Sequence, residues 1–171
     1  MYNKVNRLQM YLVLIAIFFL QVTVLDLIKI ANIKPDLSSL FVIFIAVFFG
    51  WTAGLEAGFV SGILKDLYSV DIFGINAATL ALTGAAAGLL SPKFFKESKM
   101  TQFFIVFVFT LLYFFIHYFV SSAIYNTSYI GMSEYVFCSF VPVSLYTALI
   151  SYFIFPFLID KFGLKENAEY L

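Results

Sequence analysis

The chain has 171 residues, of which 63% are hydrophobic and 12% charged, and ten Lys plus Arg balance ten Asp plus Glu to a formal net charge of zero. A soluble globular domain carries roughly 45–50% apolar and about 25% charged residues, so that class is excluded, and the even charge balance gives no footprint for nucleic acid. Crossing a hydrocarbon core of about 30 Å takes about 20 helical residues, so the length admits at most about six spans with short loops, and residues 1–171 read as one integral membrane domain.

The first uncharged stretch, 8–25, follows Lys4 and Arg7 and is about 27 Å long as a helix. A cleavable leader would have a shorter apolar core and a small-x-small site, whereas Thr23, Leu25 and Asp26 follow here, so the stretch is expected to be retained as a span over 8–30. Pro35 then excludes helix from its predecessor, and Asp36 is placed to cap what comes next.

Between residues 37 and 64 the single charge is Glu56. One helix over that stretch would be about 42 Å long, too long for the core without strong tilt. Two helices, 37–51 and 54–67, turning at Gly50-Trp51-Thr52-Ala53-Gly54, put Trp51 at an interface and Glu56 near water. Phe73-Gly74 turns the chain into a fourth span, 75–90, in which Ala77, Ala81 and Ala85, and Gly84 and Gly88, recur every four residues.

Lys93, Lys96 and Lys99 around Pro92 make a basic loop. The fifth span, 100–122, is aromatic all round, which suits lipid contact, and carries the semi-polar residues Tyr113, His117 and Tyr118. The sixth, 135–158, contains Pro142 and Pro156, which are expected to kink or end it. Cys138, in an apolar run, reads as a small buried side chain.

The expected fold is thus an all-α polytopic membrane protein, a bundle of six short helices with cytoplasmic N- and C-termini. That topology puts Lys4, Arg7, Lys93, Lys96, Lys99, Lys161 and Lys165 inside and Lys29, Lys34 and Lys65 outside, as the positive-inside rule requires. Five spans with an external N-terminus balance the charges equally well. The placement of Trp51 and Glu56 favours six.

On a helical projection of about 100° per residue, Gly54, Gly58, Ser61, Gly62 and Lys65 share one face of the third span, with Glu56 opposite. Such a small-residue face reads as a groove for a neighbouring helix. Lys65 and Asp66 at a helix end read as interfacial anchors, with Asp26, Asp36 and Asp71 on the same side. His117 reads as a hydrogen-bonded packing residue. No nucleophile with a nearby base, metal-ligand cluster or phosphate loop is apparent, so neither an enzymatic activity nor a cofactor is expected.

Pro35-Asp36, then Gly54, then Gly58-Phe59-Val60-Ser61-Gly62-Ile63-Leu64-Lys65-Asp66-Leu67, then Phe73-Gly74-Ile75-Asn76-Ala77 form an ordered set. It resembles the rod shape-determining protein MreD family of bacteria, in which a Pro-Asp start, a Gly-x-x-x-Gly-x-x-x-Asp helix and a Leu-Gly or Phe-Gly turn recur in that order. The set covers about a quarter of the chain, and Asn76 stands where a His is common in the family. Pro35, Asp36, Gly54, Gly58, Gly62, Asp66 and Gly74 are the residues that carry over.

The resemblance implies a non-catalytic scaffold of the cell-elongation machinery in the inner membrane, guiding lateral peptidoglycan synthesis. Its implied partners are MreC, the actin-like MreB filament, RodA and a class B penicillin-binding protein, besides membrane lipid. Contact with a filament would use Lys93, Lys96 and Lys99 or the C-terminal tail. The alternative is a substrate-binding S component of an energy-coupling-factor vitamin transporter, which has similar length and span count. Those components dock through an Ala-x-x-x-Ala face on the first helix, and here the first span has only Ala16.

Overall fold

A computed structural model describes residues 6–23, 33–69, 72–93, 98–125 and 136–164. Six α-helices occupy these residues: α1 Arg7–Thr23, α2 Leu37–Phe49, α3 Trp51–Asp66, α4 Ile75–Leu90, α5 Lys99–Tyr125 and α6 Val141–Lys161. A 3-10 turn, Ser91–Lys93, follows α4, and a π-helical turn, Val136–Phe140, leads into α6. Two helical stretches, Lys99–Tyr125 and Val136–Lys161, are long and apolar enough to cross a membrane, while α1, α2 and α4 are shorter apolar helices.

The centre of the bundle is α2. All of its residues except Phe48 are buried, with Phe41, Val42, Ile43, Phe44, Ile45 and Ala46 fully enclosed. Its sequence, LSSLFVIFIAVFF, offers no polar stripe after its first turn, which is what a helix wrapped by neighbours on every side requires. The neighbours are α1, α3, α4, α5 and α6. Phe44 anchors an aromatic cluster, lying 4.9 Å from Phe48, 5.2 Å from Phe155 of α6 and 5.8 Å from Phe162 between ring centroids.

The chain turns from α2 into α3 at one residue. Gly50 has φ of 95°, a backbone conformation a side chain would strain, and its N–H still donates to the Ala46 carbonyl at 3.0 Å. The expected five-residue turn is therefore tighter than its sequence suggested: Trp51 opens α3, and Gly54 lies inside that helix. Trp51 is exposed, as an interfacial tryptophan should be.

The pairing of α3 with α4 is the most extensive in the fold, and it is antiparallel and spaced by one helical turn. Gly54 backs onto Gly84, Gly58 onto Leu80 and Ala81, Gly62 onto Ala77, and Gly88 onto Trp51. A Cβ on Gly54 would stand 2.6 Å from the Gly84 carbonyl oxygen, and a Cβ on Gly58 or Gly62 would overlap the backbone of α4. Backbone meets backbone along this seam, so only glycine fits the α3 positions. Opposite the seam, Glu56 turns toward α1, where it accepts a hydrogen bond from Tyr11 Oη and pairs with Arg7 at 3.5 Å.

Two expectations change. The fifth span is not lipid-facing all round: Gln102, Ile105, Val106, Phe109, Thr110 and Tyr113 make a buried stripe at helical spacing. Cys138 is exposed on the π-helical turn, because an apolar run in sequence does not distinguish a bundle interior from an outward face. Pro142 directly follows the π-helical turn Val136–Phe140 at the start of α6, and Pro156 lies within that helix without ending it.

Replacing Gly58 with Leu is expected to abolish a monodisperse, folded protein, whereas Leu89→Ala, on the exposed face of α4, should leave the elution profile and unfolding midpoint in detergent unchanged. An unaltered profile for the Gly58→Leu variant would show that the seam is not needed for folding.

Candidate functional site

Polar residues from all six helices meet at one end of the glycine seam. The arrangement starts with Pro35 and Asp36 ahead of α2. Pro35 cannot donate, and its carbonyl accepts a bond from Gln21 Nε2 of α1 at 3.1 Å, while Gln21 Oε1 takes the N–H of Leu37 at 3.0 Å. One side-chain amide thus satisfies two groups of the helix start. Asp36 Oδ1 caps α2 through the Ser39 N–H at 3.1 Å, and the Asp36 N–H donates to Thr147 Oγ1 of α6 at 2.9 Å.

The other carboxylate oxygen, Asp36 Oδ2, faces Lys65 Nζ of α3 at 2.6 Å. Asp36 is buried and the Lys65 side chain is 26% exposed, so this pair is largely withdrawn from solvent. Lys65 also donates to Tyr113 Oη of α5 at 2.9 Å, and its ammonium lies 4.7 Å from the centre of the same ring. Tyr113 passes the chain on, donating to Asn76 Oδ1 of α4 at 2.7 Å. Asn76 Nδ2 donates to Asp66 Oδ1 at 3.0 Å. The result is a relay of hydrogen bonds that starts at the Lys65 ammonium, which donates one way to Asp36 and the other way to Tyr113, from which it runs through Asn76 to Asp66.

Asp66 closes the relay by holding the start of α4. Its Oδ1 also accepts from the Asn76 N–H, and its Oδ2 accepts from the N–H groups of Gly74 and Ala77, each at 3.0 Å. A carboxylate on those free N–H groups sits where the helix dipole is positive. Gly74, with φ of 101°, supplies the left-handed bend that aims its N–H at Asp66. His117 lies beside the relay, its ring tilted by 56° against that of Tyr113 at 5.9 Å between centroids.

The sequence-derived residues divide into three groups. Pro35, Asp36, Asp66 and Gly74 belong to the polar network, and Gly54, Gly58 and Gly62 form the seam that leads up to it. Lys99 begins α5 with its ammonium 4.7 Å from the Tyr152 ring of α6. Lys93 ends the 3-10 turn, and its side chain, like all of Lys96, lies outside the described residues, as do Asp26 and Asp71.

Lys65 and Asp66 are not the solvated anchors that a helix end suggests. Both are built into the interior of the bundle end, and Asp36 and Asp66 have separate partners rather than forming a shared acidic mouth. Gln21 and Thr147 went unmarked in the sequence. The available signal for Gln21 was an amide following an apolar run in α1, a group that has to find partners in a medium without water.

The network has little capacity for a ligand. Asp66 already accepts four hydrogen bonds and Asp36 an ion pair and a cap. No group of three or more His, Cys, Asp or Glu among the described residues could hold a metal ion. The chemistry on offer is cohesion of six helices.

A family model, rod shape-determining protein MreD, matches residues 3–162. The chain belongs to this family. No curated protein and no solved structure matches it. The match reaches well beyond the motif between residues 35 and 77, so the role is rod-shape determination, in a membrane-associated family of the system that includes MreC and MreB. Nothing in it supports a vitamin transporter component. For an MreD-family protein, the network explains the motif physically: the Pro-Asp start, the Asp at the end of the glycine helix and the Phe-Gly turn are one hydrogen-bonded unit.

Lys65→Met leaves the Asp36 carboxylate without its cation and is expected to cost about 3–5 kcal/mol of stability. Adding Asp36→Asn, which keeps an acceptor for the cap, should restore a large part of that loss. Denaturant unfolding of the two single variants and the double variant in micelles measures the coupling, and strictly additive costs would show the pair to be energetically idle.

Proposed function

We propose that the chain is a six-span protein of the bacterial inner membrane with both termini in the cytoplasm. It acts as a non-catalytic scaffold that links lateral peptidoglycan synthesis to cytoskeletal and membrane partners. The observation that carries the role is the family match over residues 3–162. The geometry supports the topology: Gly50 divides the 37–64 stretch into two helices, giving an even number. At one end Arg7 reaches Glu56, and Gln9 Nε2 donates to the Lys161 carbonyl at 2.8 Å, so the start of α1 and the end of α6 lie together. An even number of crossings requires this arrangement.

With that end in the cytoplasm, Lys93, Lys96 and Lys99 follow α4 on the same side, available to an MreB filament. The polar network then lies toward the periplasmic side, and the outward helix faces are left for MreC, RodA and the class B penicillin-binding protein. The scaffold reading also suits a site whose polar groups are consumed in holding helices together.

Three measurements test these statements. In a Cys138→Ser background, a cysteine at position 70 should react with a membrane-impermeant thiol reagent in intact cells, and one at position 96 only after permeabilisation; the reverse pattern defeats the topology. Reversing the charge of Lys93, Lys96 and Lys99 together should reduce co-purification with MreB several-fold, and unchanged recovery rejects that contact. Depletion of the protein should turn rods into rounded cells.

A further inference from the structure

A cavity of about 610 Å³ lies along the outside of the bundle between α1 and α6, floored by Leu37 and Leu40 of α2. Among the described residues α1 and α6 make no close backbone contact; the Gln9 Nε2 bond to the Lys161 carbonyl joins them at one end, and beyond it the two helices stand apart as walls. Leu12 and Ala16 line it from one side and Ile154 and Phe157 from the other. Its three polar lining residues, Asn6, Gln9 and Lys161, are all gathered at the amino-terminal end of α1. Lys161 is the single charged side chain among the described residues that line it, and its ammonium lies 5.9 Å from the centre of the Phe157 ring, over the mouth of the apolar wall.

Size decides between the two apolar occupants a membrane offers. Sites for small molecules measure roughly 300–1,000 Å³, a range that includes this cavity. A spanning helix about 10–12 Å across and about 30 Å long fills on the order of 2,500 Å³, about four times more. An acyl chain can lie wholly between these walls, whereas a helix could enter them only with the side chains of one face. The polarity is that of a lipid as well: an apolar slot with a cation and two amides at one end.

We propose that this groove holds an anionic phospholipid from the leaflet at the amino-terminal end of α1. One acyl chain lies between α1 and α6, and the phosphate meets the Lys161 ammonium beside Asn6 and Gln9. A single cation near an anionic headgroup favours it about fivefold over a zwitterionic one. The bound lipid completes the wall that α1 and α6 leave open, with its headgroup at the end of α1 opposite the polar network.

Native mass spectrometry of the full-length protein, delipidated in non-ionic detergent and titrated with phosphatidylglycerol or phosphatidylcholine of identical acyl chains, tests this. Wild type should retain phosphatidylglycerol about fivefold better. Lys161→Glu should erase that preference, and Ala16→Phe, which fills the slot, should lower retention of both lipids. Unfolding midpoints of the two variants establish that they are folded, and Lys161→Gln, a surface change, serves if either is not. Equal retention of the two lipids by wild type, or an undiminished preference in the folded Lys161 variants, overturns the proposal. So does efficient cross-linking of an Ala16→Cys variant, in a Cys138→Ser background, to another protein helix with no phosphatidylglycerol bound.

Discussion

The ion pair between Asp36 and Lys65 is the interaction on which the rest of the bundle end depends. An apolar surrounding offers no water to a carboxylate or an ammonium, so each must be met by protein. Asp36 is buried and bonded to α3 through Lys65, to α6 through Thr147 and to its own helix through Ser39. Lys65 in turn reaches α5 through Tyr113, and Tyr113 reaches α4 through Asn76. Each group that is desolvated recruits the next, and the recruitment stops only at Asp66, which is satisfied by the backbone of α4. The pair therefore specifies which helix ends adjoin, something nondirectional packing of Phe and Leu does poorly.

Packing supplies the cohesion that the polar network orients. With α2 enclosed on all sides and the α3–α4 seam reduced to backbone contact, the interior leaves few ways to assemble. The seam also sets the height of the network. Stepping by four from Gly54 through Gly58 and Gly62 brings the helix to Asp66, so the same register that seats the glycines carries the carboxylate to the start of α4.

Much of this was legible in the residues themselves. Glycines four apart permit close approach, a Pro-Asp pair permits a capped helix start and Phe-Gly a turn, so Pro35, Asp36, Gly54, Gly58, Gly62 and Gly74 could be picked out locally, whereas Asp66, read locally as an interfacial anchor, was singled out only by the family resemblance. The helix break before α3 followed from a stretch too long to cross as one rod. What escaped was partnership across the chain: Asp36 meets a threonine 111 positions away, and Lys65 meets a tyrosine 48 away. Hydrophobicity also failed to rank the helices, because lipid and bundle interior are equally apolar. That is why Cys138 was expected inside and why the central place of α2 went unread.

The helices differ in length, and a bilayer has to answer to that difference. At 1.5 Å per residue α3 and α4, of 16 residues each, are about 24 Å long, and α5, of 27, is about 40 Å. Tyr113 lies 12 residues before the end of α5, so the tall helix continues about 18 Å past the level where the short ones stop. In the proposed six-span topology, lipid beside α3 and α4 would thin below its usual core of about 30 Å, while lipid beside α5 would thicken unless that helix tilts. The protein would thus impose a slope in membrane thickness around its own circumference. Neighbouring proteins would be sorted to one flank or the other by the length of their apolar belts before any side chain made contact.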